Sequence, residues 1–259
     1  MTTNDNDIEF TDEQHKIWET LFNNQINNVK KFACKEYLRG FKILNLPRNR
    51  VPGLEFLNKK VQPRTGWKVI RTKIRYSDTL PWYLYFARKE FIVTNYLRSW
   101  KELNFTPEPD MFHDIFGHLP FLVLPEYTEL FDMFTDAYLR ANKKQQDDIK
   151  RLGWFSYEFG LIRENRNLKI FGTGIMSSVG EIVHVMSGKT PVKPFTVENV
   201  LKRNKAIDDF NKELFVFDSL DSLKEELKRY FDMIKGKRRN ISTNRILDKE
   251  MDLNQYKTR

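Results

Sequence analysis

Cysteine is almost absent from this sequence, and long hydrophobic runs are absent altogether. Cys34 is the single cysteine among 259 residues, so an internal disulfide is impossible and clusters that need several thiolates are disfavoured. No run of about 18 apolar residues exists that could cross a bilayer. Residues 1–7 lack the basic and apolar parts of a signal peptide. Together these absences predict a soluble cytoplasmic protein with no membrane span.

The length and composition predict one large domain. Apolar residues make up 40% of the chain, and 21 phenylalanines and 5 tryptophans allow a sizeable core. The net charge is +9, and residues 235–239 form the densest basic run. No zinc-finger, helix-turn-helix or RNA-recognition pattern accompanies that charge, so a solvated surface is favoured over nucleic-acid binding. We expect a disordered segment over residues 1–10, a folded domain over 11–234 and a basic tail or surface helix over 235–259.

Hydrophobic periodicity predicts a mainly α-helical fold with small β elements, of the α+β class. A capping box at Thr11 and Gln14 opens the first helix, and Gly40 closes it. Helices are predicted over residues 11–40, 54–61, 82–90, 125–142, 145–162, 176–187, from 196 onward and over 219–234. Strands are predicted over residues 66–76, 91–94, 167–171 and 214–217, and a tight turn over 172–174.

Residues 106–120 contain two of the four histidines, His113 and His118. Asp110 can cap a helix there, and apolar neighbours predict a buried helical segment. On an α-helix, side chains five positions apart lie about 140° apart, unlike the i,i+4 pair of zinc proteases. If the helix ends or loosens at Gly117, His118 can turn back toward His113. The spacing alone is equally consistent with a metal site and with two core histidines.

Glu158 lies in a stretch of aromatic residues. A buried carboxylate is costly unless it is paired or binds a metal, so its position alone favours a side chain that points to water. Two histidines and one carboxylate on one face of a metal would leave three coordination positions open. That arrangement is the facial triad of non-haem iron(II) oxygenases, in which O2 and a co-substrate need those positions.

Four segments resemble the pterin-dependent aromatic amino acid hydroxylases, particularly the compact bacterial enzymes. Their most specific string is Pro-Glu-Pro-Asp-x-x-His-Asp-x-x-Gly-His. The four segments are residues 65–69, residues 91–98 leading into 107–120, residues 154–161 and residues 172–178. The resemblance covers about residues 10–234. It implies a single catalytic domain that uses Fe(II), O2 and tetrahydropterin to hydroxylate the ring of an aromatic amino acid, most simply L-phenylalanine to L-tyrosine.

The resemblance also implies roles for individual residues. The iron ligands would be His113, His118 and Glu158, with the burial of Glu158 compensated by the cation. Arg98 would pair with the substrate carboxylate through its planar fork. Thr106 would be a hydrogen-bond partner of the amino acid, and Trp154 would be a wall of the ring pocket. Ser177 would be a partner of a ligand histidine. Asp114 would be an acidic residue near the pterin, and Trp82 would be the ring that stacks on the pterin.

Some positions depart from the family pattern. Gly153 stands where the family usually has a tyrosine beside the iron, which predicts open space near the metal. Residues 75–82 fit the family's pterin loop poorly, so a reaction without pterin stays open as an alternative. Ile92 and Ile207 are expected to border the ring pocket.

Other functions remain open at this stage. The same iron scaffold could act on tryptophan or a modified aromatic amino acid, or without pterin. A zinc metallohydrolase with Asp114 as its general base is a further alternative, although it lacks the usual glutamate between its histidines. We expect small-molecule substrates, no nucleic-acid or membrane partner, and a monomer.

Overall fold

The computed structural model describes residues 9–71, 79–104, 106, 108–205 and 209–238. Within these ranges helices predominate over short strands, which confirms the mainly α, α+β prediction. The α-helices are α1 Asp12–Phe32, α2 Lys35–Leu44, α3 Leu54–Thr65, α4 Thr79–Phe86, α5 Leu119–Leu122, α6 Pro125–Arg140, α7 Lys143–Gly153, α8 Thr173–Met176, α9 Val179–Met186, α10 Val197–Leu201 and α11 Leu220–Phe231. The described residues also form two π-helical turns, π1 His113–His118 and π2 Trp154–Glu158, and a 3-10 turn, Trp100–Glu102.

The predicted helix over residues 11–40 is two helices. The capping box is confirmed, since Thr11 accepts from the Gln14 backbone N–H and donates its own N–H to the Gln14 side chain. The helix stops after Phe32, where Ala33 takes an extended conformation and the Cys34 N–H donates to the Ile170 carbonyl at 2.9 Å. That pairing satisfies a buried backbone group from another part of the chain, and helical periodicity cannot reveal it.

Six strands within the described residues form two sheets. The strands are β1 Lys68–Arg71, β2 Glu90–Val93, β3 Leu161–Glu164, β4 Asn167–Ile170, β5 Val192–Pro194 and β6 Leu214–Phe217. β1 and β2 form a parallel pair, and the other four follow the order β4-β3-β6-β5. The strands predicted around β2, β4 and β6 are confirmed, and that around β1 is confirmed over its described part.

The helix predicted over residues 145–162 is wrong at its C-terminal end. α7 gives way to π2, and Leu161 and Ile162 lie in β3, paired in parallel with Val216 and Phe217 of β6. β3 and β5 were not predicted. A short apolar run shows no clear hydrophobic periodicity, so its pairing with a neighbouring strand decides whether it forms a helix or a strand.

The helix predicted over residues 176–187 is interrupted. α8 begins at Thr173, inside the predicted tight turn, and ends at Met176. Ser178 then caps α9, because its hydroxyl accepts from the Glu181 N–H at 3.3 Å. A serine that can cap a new helix competes with continuation of the previous one.

The segment that carries the histidines lies deep in the core. α5, which follows π1 directly, packs on α2 so closely that a Cβ at Gly40 would lie 1.6 Å from the Pro120 carbonyl oxygen. The Tyr37 hydroxyl donates to the Phe116 carbonyl of π1 at 2.6 Å. Both contacts come from α2, and they fix the position of the π1 backbone.

Several predictions concern residues at the edges of the described ranges. The disordered segment over residues 1–10 and the basic tail over 235–259 fall mostly outside them, and residues 235–238 are exposed. Residues 72–78 and Ile207 also lie outside. Among the helices that are described, none combines the length and apolar character that a bilayer span requires.

Candidate active site

A π-helical turn brings the two histidines together. A π-helix bonds residue i to i+5, so side chains five positions apart return to one side, which an α-helix does not allow. The Nε2 atoms of His113 and His118 lie 3.0 Å apart, with the rings nearly perpendicular at 87°. The helix therefore loosens at Gly117 without ending, and continues into α5.

Glu158 completes the cluster from the second π-helical turn. Its Oε1 lies 3.3 Å from His118 Nε2, and its Oε2 lies 3.6 Å from His113 Nε2. The Glu158 side chain is 18% exposed. The carboxylate therefore points at the histidines, and the interpretation from its position alone, that it points to water, is wrong.

The donor set and spacing fit a metal ion. A metal about 2.1 Å from each donor needs donors about 3.0 Å apart at right angles and about 3.4 Å apart at tetrahedral angles. The two Nε2 atoms lie 3.0 Å apart, and each lies 3.3 or 3.6 Å from a different oxygen of Glu158, so the donor–donor distances fall in this range. Two imidazoles and one carboxylate leave positions open on the metal, as non-haem iron(II) chemistry requires.

The protonation states also suit metal binding. Burial lowers the pKa of His113 to about 4, so its ring is neutral near pH 7. Burial works to raise the pKa of Glu158, but His118, His113 and the Thr173 hydrogen bond together lower it to about 2. Neutral imidazole and ionised carboxylate are the forms that ligate metals.

Ser177 orients His113. Its Oγ lies 2.9 Å from His113 Nδ1 and 3.0 Å from the Thr173 carbonyl. The hydroxyl must donate to the carbonyl, so it accepts from Nδ1–H, and the Nε2 lone pair is left facing Glu158 and His118. Fixing the ring and its tautomer in this way is the usual task of a metal ligand's hydrogen-bond partner.

Arg98 and Asp110 form a buried pair beside the histidines. Arg98 is 1% exposed, and its Nε and Nη2 donate to the two Asp110 oxygens at 2.9 and 2.7 Å. Asp110 Oδ1 also accepts from the His113 backbone N–H at 3.0 Å, which confirms the predicted cap. Arg98 Nη1 is buried and has no hydrogen-bond partner in the described part of the chain. One arm of the fork thus remains for an anionic ligand.

The family follows from comparison of the whole chain. The sequence model for the biopterin-dependent aromatic amino acid hydroxylases matches residues 3–254. The chain belongs to this family. Among its relatives, the phenylalanine-4-hydroxylase of Pseudomonas aeruginosa is 33% identical over 219 residues, 83% of this chain and 82% of that protein. The phenylalanine-4-hydroxylase of Mesorhizobium japonicum is 34% identical over 238 residues, 90% and 86% of the two proteins.

Solved structures of the family share the fold. The cold-active phenylalanine hydroxylase of Colwellia psychrerythraea superposes with a TM-score of 0.81 at 29% identity, over 98% of this chain and 93% of that one. The Chromobacterium violaceum phenylalanine hydroxylase with iron(III) and oxidised 7,8-dihydrobiopterin gives 0.80 at 29% identity, over 90% and 88%.

The other residues expected around the amino acid are described by their contacts within the protein. Trp154 is half-buried, packs on Phe159 with ring centroids 4.5 Å apart, and donates its Nε1–H to Asn211 Oδ1 at 2.9 Å. Thr106 donates its hydroxyl to the Glu108 carbonyl at 3.0 Å. Ile92 is buried, at 5% exposure. The roles of these residues toward substrate remain predictions.

The two residues assigned to the pterin are held by different contacts. Asp114 is buried, and its Oδ2 accepts from the Thr94 N–H at 2.8 Å. Burial raises the pKa of Asp114 well above its usual range. Trp82 is half-buried, with its ring centroid 3.9 Å from that of Phe86. Their contacts to pterin remain predictions, and residues 75–78 of the segment over 75–82 lie outside the described ranges.

The expectation of open space at Gly153 is wrong. A Cβ at that position would lie 2.5 Å from the Tyr157 hydroxyl. The Tyr157 ring is fixed between Phe131 and Phe134, with centroid distances of 5.5 and 5.1 Å. Tyr157, one helical turn further on, therefore fills the volume that the missing side chain leaves.

Three residues near the site were missed as functional candidates. Asp110 was predicted only as a helix cap, Thr173 only as part of a turn, and Asn211 not at all. The glycines on both sides of Thr173 indicated a close backbone approach, which was a usable signal. Asn211 carried none, because it lies 57 positions after Trp154, which it contacts only in the folded chain.

Proposed function

We propose that this chain is an iron(II)- and tetrahydropterin-dependent monooxygenase that converts L-phenylalanine to L-tyrosine with O2. The observation that carries the proposal is the cluster of His113, His118 and Glu158, which offers three donors and leaves the rest of the metal's coordination sphere open. The relatives named phenylalanine-4-hydroxylase, at 33 and 34% identity over most of the chain, support the same reaction.

The chain's own residues bind and orient the reactants in this proposal. Arg98 presents its free Nη1 to the substrate carboxylate, while Asp110 keeps the guanidinium from turning. Thr106 contacts the amino acid, and Trp154 forms a wall of the ring pocket. Ser177 keeps His113 in the metal-binding tautomer.

The pterin lies between Trp82 and Asp114 in this proposal. An indole face suits stacking on a flat heterocycle, and a carboxyl group held by Thr94 can bond to its N–H groups. The bound iron and pterin supply the chemistry: O2 is activated, two electrons come from the pterin, and one oxygen atom goes to the ring and one to the pterin. The protein excludes water and sets the relative positions.

Product analysis tests the reaction class and the substrate together. The protein is loaded with Fe(II) under anaerobic conditions, then exposed to air with tetrahydropterin and phenylalanine, tyrosine or tryptophan in turn. We expect one oxygen atom gained by phenylalanine, in proportion to pterin consumed. Product formed without pterin contradicts the assignment of pterin as co-substrate. Oxygen gained only by tryptophan contradicts the assignment of phenylalanine as substrate.

Metal content tests the site. His113→Ala is expected to lose bound iron, because it removes one of three protein donors. His15→Ala is the matched control, since His15 accepts from the Val51 N–H and lies outside the cluster. One equivalent of iron retained by His113→Ala would contradict the metal assignment.

We further propose a cytoplasmic monomer. The buried, unpaired Cys34 suits a reducing compartment. Among the described residues, the exposed large hydrophobic side chains are Trp100, Val183, Val192 and Met233, which belong to separate parts of the sequence. Sedimentation at several concentrations measures the mass, and a dimer mass that persists on dilution contradicts the monomer.

A further inference from the structure

The hydroxyl of Thr173 lies among the proposed metal ligands. Thr173 is completely buried. Its Oγ1 lies 3.0 Å from Glu158 Oε2, 3.2 Å from His118 Nε2 and 3.0 Å from the Tyr157 carbonyl oxygen. A single side chain therefore touches two of the three ligands, although it carries no charge and was not among the predicted site residues.

The direction of the hydrogen bond follows from counting donors. A threonine hydroxyl has one proton. When His118 Nε2 serves as a metal ligand, its lone pair is directed at the metal, which leaves the Tyr157 carbonyl and the Glu158 carboxylate as acceptors. An ionised acceptor forms the stronger bond, so Thr173 donates to Glu158 Oε2.

Glycines allow Thr173 to reach this position. A Cβ at Gly172 would lie 2.3 Å from the Glu158 carbonyl oxygen, and one at Gly174 would lie 3.1 Å from the same atom. A Cβ at Gly117 would lie 3.0 Å from the Thr173 carbonyl. The turn that holds Thr173 fits between π1 and π2 because Gly172 has no side chain, and the lack of side chains at Gly117 and Gly174 relieves two further tight contacts.

The same helical turn serves the remaining ligand. Ser177, four residues after Thr173, hydrogen-bonds His113 at 2.9 Å. Residues four apart lie on one face of a helix. α8 and the serine that follows it thus contact all three proposed ligands from one side.

The two oxygens of Glu158 are otherwise almost equivalent. Each faces one histidine, at 3.3 and 3.6 Å, so the carboxylate could bind a metal through one oxygen or through both. Among the described residues, Thr173 is the group that distinguishes them, because its hydroxyl bonds Oε2 and not Oε1.

We propose that Thr173 is a positioning residue that restricts Glu158 to binding the metal through one oxygen, Oε1. This inference rests on the proposed function, because it concerns the same metal. A carboxylate that binds through both oxygens uses one more coordination position. The Thr173 hydrogen bond therefore keeps that position open for O2 or a co-substrate.

Metal binding by two Thr173 variants tests the inference. Thr173→Val keeps the shape and removes the donor, whereas Thr173→Ser keeps the donor. We expect Thr173→Val to bind Fe(II) or Co(II) about 10- to 100-fold more weakly than wild type, the loss typical when a metal ligand loses its hydrogen-bond partner. The Co(II) absorption spectrum should change as well, since it reports coordination number. Thr173→Ser should restore both.

Thr135→Val is the matched control. Thr135 is buried, and its hydroxyl has no hydrogen-bond partner among the described residues, so its loss should change neither affinity nor spectrum. Thermal melts show whether each variant is folded. If Thr173→Val does not fold, a crystal structure of the metal-loaded wild type decides the question, with one Glu158 oxygen bound as the expected result.

The outcomes separate the two proposals. Wild type that binds no metal overturns the proposed function and this inference with it. Wild type that binds one equivalent, with Thr173→Val identical in affinity and spectrum, overturns only the inference. A Thr173→Ser variant that behaves like Thr173→Val points to packing of the methyl group and also overturns it, as do two bound Glu158 oxygens in the wild-type crystal.

Discussion

Gly153 and Tyr157 are expected to behave as a coupled pair in stability. A Cβ at Gly153 would lie 2.5, 2.7 and 2.8 Å from the Tyr157 Oη, Cζ and Cε1 atoms. Comfortable contacts between such atoms are about 3.5 Å or longer, so the ring would have to move by about 1 Å. Phe131 and Phe134 pack against it, and the Tyr83 hydroxyl lies 3.4 Å from its own. Such a ring cannot shift without disturbing its neighbours.

The magnitude follows from two opposing effects. Overpacking a core position costs about 1–3 kcal/mol, whereas replacing glycine by alanine in a helix stabilises by up to about 1 kcal/mol. Gly153→Ala is therefore expected to destabilise the protein by about 1–2 kcal/mol. In a Tyr157→Val background the obstacle is gone, and the same substitution should stabilise the protein by up to about 1 kcal/mol. The expected coupling energy is about 2 kcal/mol, within the usual range for residues in contact.

Urea denaturation of four proteins measures this coupling: wild type, each single variant and the double variant. Tyr157→Val alone should cost about 2–4 kcal/mol, because it removes a buried ring. The reasoning is refuted if the two substitutions add to within about 0.5 kcal/mol, or if Gly153→Ala stabilises the wild-type protein.

Three further predictions concern other parts of the molecule. Gly40→Ala should lower the free energy of unfolding by about 3 kcal/mol, because the added Cβ would collide with the Pro120 carbonyl. Chemical denaturation measures this change, and Lys42→Ala at an exposed position is the control. Asp110→Asn should lower the free energy of unfolding by about 3–5 kcal/mol, because it leaves the Arg98 charge buried and unpaired. Thermal denaturation checks this, with Glu55→Gln as the control at an exposed ion pair. Equal melting temperatures for Asp110→Asn and wild type would contradict the prediction. Burial and, to a smaller extent, Asp209 raise the pKa of Glu181 from 4.5 to about 7. The folded state therefore holds the extra proton, so this contribution to stability is complete below pH 4.5 and is lost as the pH rises to about 7. Glu181→Gln should remove that slope, and an unchanged stability profile between those pH values would exclude the assignment.

Much of the helical framework can be predicted from the sequence, because its determinants are local. The capping box of Thr11 and Gln14 and the stripe of α11 depend on residues three or four apart. The string around His113 and His118 is specific enough to indicate a family and a metal. Glu158 was predicted as the third metal ligand only from the family resemblance, because a carboxylate among aromatic residues points to water as readily as to a cation.

Tertiary contacts decided the local structure where sequence signals conflict or are missing. The break at Ala33 comes from pairing with Ile170, and Leu161 joins a strand because Val216 lies beside it. Gly153 suggested an empty space, but Tyr157 occupies it.

The contacts that shape the site are also long-range. Arg98 meets Asp110, Trp154 meets Asn211, and Thr173 meets Glu158 only after the helices have packed. The sequence by itself determined which groups can bind a metal and an amino acid, because chemical type is a property of each residue. Their distances, partners and protonation states depend on burial and on packing between distant segments, and these exist only in the folded chain.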